Sequence, residues 1–184
     1  MRVERLREEF GLQFDVCAFD LRPDLPPEGM SRQQAYAGRT YPPGYLENMR
    51  QMALDSGIEI KRPALIPNTR QAHEATEFAR AAGRLLPFHE AVFRAYWVDE
   101  RSIGDVDVLC DLAAGCGIDA QALRAALEEG RHTAEVQEQI DWSRAAGVTG
   151  VPTVIFEEKF AVVGAQDYEV FRDVARRVTS GAVA

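Results

Sequence analysis

From Ser31 to Ala146 the apolar residues recur at helical spacing, and only outside that block do they alternate as in strands. Gly44, Gly57, Pro63, Pro67, Gly83, Gly104, Gly117 and Gly147 punctuate the run, which leaves room for five or six helices. In "LLPFHEAVFRAYW" at 85–97, Phe88, Val92, Ala95 and Tyr96 form one stripe of the kind that lines a bundle core. "IGDVDVLCDLAAGCGID" at 103–119 carries Val106, Leu109, Cys110 and Ala113 on one face, and Asp119 then caps the next helix. A chain dominated by such a block can form a sheet only from segments near its two ends.

Those segments are legible. Leu6 and Phe10 share one face of a short charged helix that Gly11 ends, and Leu12, Phe14, Val16 and Ala18 then alternate with Gln13, Asp15 and Cys17 as a strand. "DLRPDLPPEG" at 20–29, with its prolines, is an extended linker. After the helical block come a strand at 153–157, a turn at Glu157–Lys159, a strand at Phe160–Val163 and a helix from Asp167 to Val178. The expected architecture is one α/β domain over 1–184, a sheet interrupted by an all-helical insertion at 31–146.

Charge narrows the function. A net charge of −8 and a pI near 5.0 disfavour nucleic acid and anionic membrane surfaces as partners, and no basic stripe offsets them. "MRVERLREEF" has no apolar core of a secretory signal, so the expected location is cytoplasmic. Cys17, Cys110 and Cys116 are too few and too odd in number for a disulfide framework. Six residues of helix would hold Cys110 and Cys116 about 9 Å apart, beyond disulfide reach, so both read as buried thiols. Cys17 lies mid-strand without a neighbouring cation, and a buried structural thiol is its expected role. No C-x-x-C or H-E-x-x-H occurs, and "HEATE" at 73–77 lacks a second histidine, so neither metal nor cofactor is expected.

"GVTGVPTVIF" at 147–156 runs from a glycine turn through a proline into a β-branched strand. Pro152 can start that strand because it need not donate there, and most bonds before proline are trans. Together with "FDLRPDLPPEG" at 19–29, "PNTRQAH" at 67–73 and "VVGAQ" at 162–166, this string resembles the FrnE-type branch of the DsbA-like thioredoxin-fold family. Relatives of that branch include kappa-class glutathione transferases and 2-hydroxychromene-2-carboxylate isomerases. The resemblance implies a DsbA-type sheet with a helical insertion, a cis bond before Pro152 facing the redox site, and thiol–disulfide oxidoreductase activity. It also implies that the family's first strand and C-x-x-C precede a helix whose second half resembles "RVERLREEFGL", so this chain is expected to lack both and to have no catalytic residue of its own.

Several residues remain as binding candidates. Asn68 and Thr69 open a helix, with Gln71 placed to complete a capping box, while in the resembling proteins this segment lines the redox or glutathione cleft. Gly164, Ala165 and Gln166 precede the last helix, whose free N–H groups suit a carboxylate, although a plain turn capped by Asp167 explains them equally. Val151 and Thr153 can pair their backbone with an extended substrate. The expected partner is a protein bearing thiols or disulfides, or glutathione. Three functions follow: a DsbA-type oxidoreductase without its cysteine pair, a glutathione-dependent isomerase or transferase, and a non-catalytic thiol- or peptide-binding module. In the family's fold the absent strand lies between the strands at 12–19 and 153–157, so those two are expected to close on each other or to be bridged by a second copy, giving an unstable or homo-oligomeric chain.

Overall fold

Leu6 and Phe10 lie one turn apart on α1 (Arg2–Phe10), a helix whose other positions are mostly charged, so only that edge can be buried. The computed structural model describes residues 2–180. Gly11, at φ 64°, ends α1 and donates its N–H to the Arg7 carbonyl at 2.9 Å. The elements that follow are β1 (Met30–Ser31), α2 (Arg32–Ala35), α3 (Tyr45–Asp55), β2 (Leu65–Ile66), α4 (Arg70–Ala81), α5 (Leu85–Trp97), α6 (Val106–Gly115) and α7 (Ala120–Glu128). After them come α8 (Thr133–Ala145), β3 (Thr153–Phe156), β4 (Phe160–Val163) and α9 (Tyr168–Thr179). They sort into a helical unit, Arg22–Glu138, and a two-ended unit made of the chain up to Leu21 and from Gln139 onward.

The helical unit is centred on α4. Ala72, Ala75 and Ala79 give that helix a smooth buried face at i, i+3 and i+7, against which Phe88, Val92, Ala95 and Tyr96 of α5 pack together with Leu109, Cys110 and Ala113 of α6 and Leu123 and Leu127 of α7. The stripes expected for 85–97 and 106–113 are those buried, and Asp119 caps α7 by accepting from the Gln121 and Ala122 N–H groups at 2.9 and 3.0 Å. Two features differ from expectation. Among the described residues, seven helices rather than five or six begin between Arg32 and Thr133, because the four-residue α2 is too short to show a period. The block is also not purely helical: β1 and β2 pair antiparallel, Met30 with Ile66 and Ser31 with Leu65, and two-residue strands carry no alternation to read. Gly29 makes that ladder possible, since a Cβ there would stand 2.6 Å from the Ile66 carbonyl oxygen.

In the two-ended unit β3 and β4 form an antiparallel hairpin with Thr153 opposite Val163 and Phe156 opposite Phe160. Phe156 and Val162 point to one face of the hairpin and meet Leu6 of α1 and Tyr168, Phe171 and Ala175 of α9. The guanidinium carbon of Arg5 lies 3.7 Å from the Tyr168 ring centroid, and the Tyr168 hydroxyl donates to the Glu9 carboxylate, so α1 is held to α9 by charge as well as by area.

The segment at 12–18 departs from its expected form. Its burial alternates as predicted, with Leu12, Phe14, Val16 and Ala18 inward, yet it joins no ladder among the described residues, and β3 pairs only with β4. The strands at 12–19 and 153–157 therefore do not close on each other. Alternation dictates which side chains are covered, whereas a strand also needs a neighbour for its backbone. Ala18 finds side-chain partners instead: its N–H donates to Gln139 Oε1 at 2.8 Å and its carbonyl accepts from Ser143 Oγ at 3.3 Å. Cys17, on the outward side of that alternation, is exposed and not the buried thiol expected. Cys116 is half-buried, while Cys110 is buried as foreseen.

Two predictions follow from local chemistry. Glu157 and Glu158 close the hairpin at φ 49° and 54°, and Lys159 N–H reaches the Phe156 carbonyl at 2.9 Å. Left-handed backbone disfavours a side chain by about 1 kcal/mol, so Glu158→Gly should raise the unfolding free energy by about 1 kcal/mol, read as a higher urea midpoint at unchanged m. On α5, burial lowers the pKa of His89, with the charge of His73 adding to the effect. A depressed histidine pKa means the fold prefers the neutral ring, so its contribution is whole above the ordinary value near 6.5 and is lost as pH falls through the lower folded value. Thermal stability should therefore decline as pH falls below about 6.5, and His89→Gln should flatten that part of the profile.

Candidate functional site

The approach to β3 is set by how α8 ends. Gly147, at φ 78°, donates to the Arg144 carbonyl at 3.0 Å, and Val148 donates to the Ser143 carbonyl at 3.0 Å, the double bond of a Schellman stop. The chain then turns through Gly150, whose carbonyl accepts from Thr153 Oγ1 at 2.7 Å, and enters the hairpin through Val151 and Pro152. The Val151–Pro152 peptide bond is cis. Val151 stands 54% exposed.

The far end of β4 meets this approach. Gly164, at φ 84°, donates its N–H to the Pro152 carbonyl at 2.8 Å, which fixes the proline against the exit of the hairpin. Gln166 then folds back: its N–H donates to the Gly164 carbonyl at 2.9 Å and its Nε2 to the Val163 carbonyl at 3.0 Å. Val151, Pro152, Thr153, Gly164 and Gln166 thus form one corner of the two-ended unit. Val163, 56% exposed and opposite Thr153, adds an apolar surface that the sequence did not single out. Asp167 occupies the cap position of α9 with extended dihedrals, but its side chain makes no cap bond, contrary to expectation, and its carbonyl instead accepts from Val170 N–H at 3.1 Å.

Asn68 and Thr69 belong to the helical unit, where Asn68 works as a pin. Its Oδ1 accepts from Arg70 N–H at 2.9 Å and its Nδ2 donates to the Leu25 carbonyl at 2.8 Å, fastening the proline-rich linker to the start of α4. The expected capping box does not form: the bond goes two residues on rather than three, and Gln71 does not return one. Thr69 Oγ1 lies 3.3 Å from His73 Nε2. Gly104 leaves room for this turn, since a Cβ there would stand 2.9 Å from the Asn68 carbonyl oxygen.

Thiol chemistry is poorly supported by the three cysteines. Burial raises the pKa of Cys110, opposed by Arg124 and reinforced by Asp107, Asp111 and Glu128, and burial also raises that of Cys116. Both are therefore held as thiols and not thiolates. Among the described residues no cluster of His, Cys, Asp and Glu could hold a metal ion, and no helix is long and apolar enough to cross a membrane.

The family model of the DsbA-like thioredoxin domain matches residues 1–175. The chain belongs to that family. The DsbA-like chain is 30% identical over 169 residues to the protein YwbO of Bacillus subtilis (strain 168), a match covering 87% of this chain and 79% of that protein. It superposes with a TM-score of 0.82 and 26% identity on the crystal structure of a "probable DsbA oxidoreductase" from Streptomyces coelicolor, over 100% of this chain and 83% of that one. A 2-hydroxychromene-2-carboxylate isomerase shares the fold at a TM-score of 0.74 and 20% identity, over 100% of this chain and 91% of the other. The fold is that of DsbA-like thioredoxin domains, rich in helix with small sheets.

The Asn68 pin yields a prediction. Asn68→Ala removes a helix cap and leaves the Leu25 carbonyl without its partner, which should lower stability by about 1 to 2 kcal/mol in urea unfolding. Gly104→Ala should be destabilising as well, through crowding of the Asn68 carbonyl.

Proposed function

We propose that this DsbA-like chain serves thiol–disulfide exchange on polypeptides. The observation that carries this reading is the corner at Val151–Thr153: an exposed apolar residue leads into a strand whose second edge has no ladder partner among the described residues. An extended polypeptide can pair its backbone along such an edge while Val151 and Val163 take an apolar side chain. Exchange itself requires a thiolate and a resolving thiol, and Cys17, Cys110 and Cys116 supply no such pair. On this reading the residues from Arg2 to Ser180 contribute the binding step. The name of the Streptomyces coelicolor relative supports the oxidoreductase assignment.

A glutathione-dependent isomerase or transferase is the second reading. One observation favours it: the first-turn N–H groups of α9 have no side-chain cap, and such groups suit a carboxylate.

Titration of the isotopically labelled chain separates the two. An extended peptide containing one cysteine should shift the amide signals of Val151, Thr153 and Gly164, and Val151→Asp should abolish the effect without changing the melting temperature. Shifts confined to Gln166–Glu169 on adding glutathione would favour the second reading, and a titration without change at either place would overturn both. In insulin reduction with dithiothreitol, this chain and its Cys17→Ser variant should both run at the buffer rate. Turnover lost on Cys17→Ser would show that the exposed Cys17 is itself a nucleophile.

A further inference from the structure

Most arginines of the helical unit with an assigned ion pair sit beside their own carboxylate, as Arg70 does with Glu74, Arg80 with Glu77 and Arg101 with Asp111. Arg22, Arg32 and Arg39 are not paired in this way, and neither are Arg62, Arg84 and Arg94, but only the first three share one site. All three gather on one aromatic ring, their guanidinium carbons 4.8, 5.7 and 5.7 Å from the centroid of Tyr36, and none is in an ion pair among the described residues. Two are held in place by neutral acceptors: Arg22 Nη1 donates to the Ala35 carbonyl at 3.1 Å, and Arg32 donates through Nε to the Pro63 carbonyl at 2.7 Å and through Nη2 to the Tyr96 hydroxyl at 3.3 Å. Arg39 is exposed, its guanidinium faces the Tyr36 ring, and its N–H donates to the Tyr36 carbonyl at 3.1 Å. Three like charges on one ring repel one another, and among the described residues no carboxylate is paired with any of them.

An apolar surface continues from the same ring. Tyr36 lies 6.2 Å from Tyr41, and Tyr41 stacks on Tyr45 at 5.2 Å with the rings 4° from parallel. Tyr45 is the first residue of α3, a helix that buries none of its side chains, and Leu46 and Met49 stand exposed beside it. A helix with an exposed apolar edge therefore sits next to three cations that are in no ion pair among the described residues.

We propose that Arg22, Arg32 and Arg39 around Tyr36, with Tyr45, Leu46 and Met49 of α3, form a docking surface for an acidic polypeptide segment of another protein. Three separate guanidinium groups, two of them already positioned, each donate to a different carboxylate, and α3 receives the apolar side chains between those carboxylates. The complementarity fixes the sign and amphipathic character of the partner. It does not depend on the thiol-exchange reading, which concerns a different unit.

The test uses the whole chain and a fluorescein-labelled peptide in which glutamates alternate with phenylalanine and leucine, followed by anisotropy at low salt. The peptide should bind, its lysine counterpart should not, and added salt should weaken the complex. Arg39→Gln should weaken binding about three- to tenfold, Arg39→Lys should retain most of it, and Tyr45→Ser should weaken it without altering the salt dependence. Arg124→Gln, a charge loss elsewhere in the unit, should change nothing. Absence of binding, or equal affinity for wild type and Arg39→Gln, would overturn the proposal. So would displacement of the peptide by inorganic phosphate at constant ionic strength, which would make the cluster a small-anion site. A dimer in sedimentation that Arg39→Gln dissolves, with no peptide binding, would assign the surface to a second copy and equally overturn it.

Discussion

The helical unit depends on the local answer to two buried carboxylates of α4. Glu77 is 2% exposed, and Arg80 Nε lies 2.8 Å from its Oε2. Glu74, also buried, receives Arg70 Nε at 3.3 Å and Thr133 Oγ1 at 3.0 Å. Leaving either acid buried without its partner would cost several kcal/mol, so α4 can occupy the centre of the bundle only because the neutralising groups come with it, at i+3 and i−4. Arg70 extends the consequence further: its remaining donors hold the Thr133 carbonyl at 2.8 Å and Gln137 Oε1 at 3.1 Å, tying the start of α8 to the start of α4. With that turn fixed, Asn68 can hold the linker at Leu25 and Gly104 can approach its carbonyl.

The two-ended unit follows a related logic with fewer charges. Hairpin and helix α9 share one apolar face, and Tyr168 closes its border by offering its ring to Arg5 and its hydroxyl to Glu9. Another border, where Val151, Val163 and Gln166 meet, is held by backbone, amide and Thr153 hydroxyl hydrogen bonds and keeps its apolar side chains in water. A surface so arranged has a hydrogen-bonded backbone and exposed apolar side chains, which suits binding better than packing. Membership in the DsbA-like family describes the scaffold, while chemistry depends on the groups a particular chain places on it. Here the two cysteines of α6 and its cap are kept protonated by burial, which suits them to packing rather than to attack.

The sequence determined what periodicity and turn chemistry encode. The stripes of α5 and α6, the glycine stop of α1, the aspartate cap of α7 and the hairpin leading into α9 all depend on neighbours a few residues away, and each was legible. The corner at Val151–Thr153 could be named because its glycines, proline and β-branched run sit together in the chain. Tertiary structure decided what depends on distant partners. Alternation at 12–18 could not reveal whether a strand stood beside it, the two-residue ladder at Met30–Ile66 had no pattern to show, and Asn68 reached Leu25 rather than completing a box with Gln71. Arg22, Arg32 and Arg39 likewise meet on one ring only after the chain has folded, because side-chain periodicity specifies a face and says nothing of what another segment brings to it.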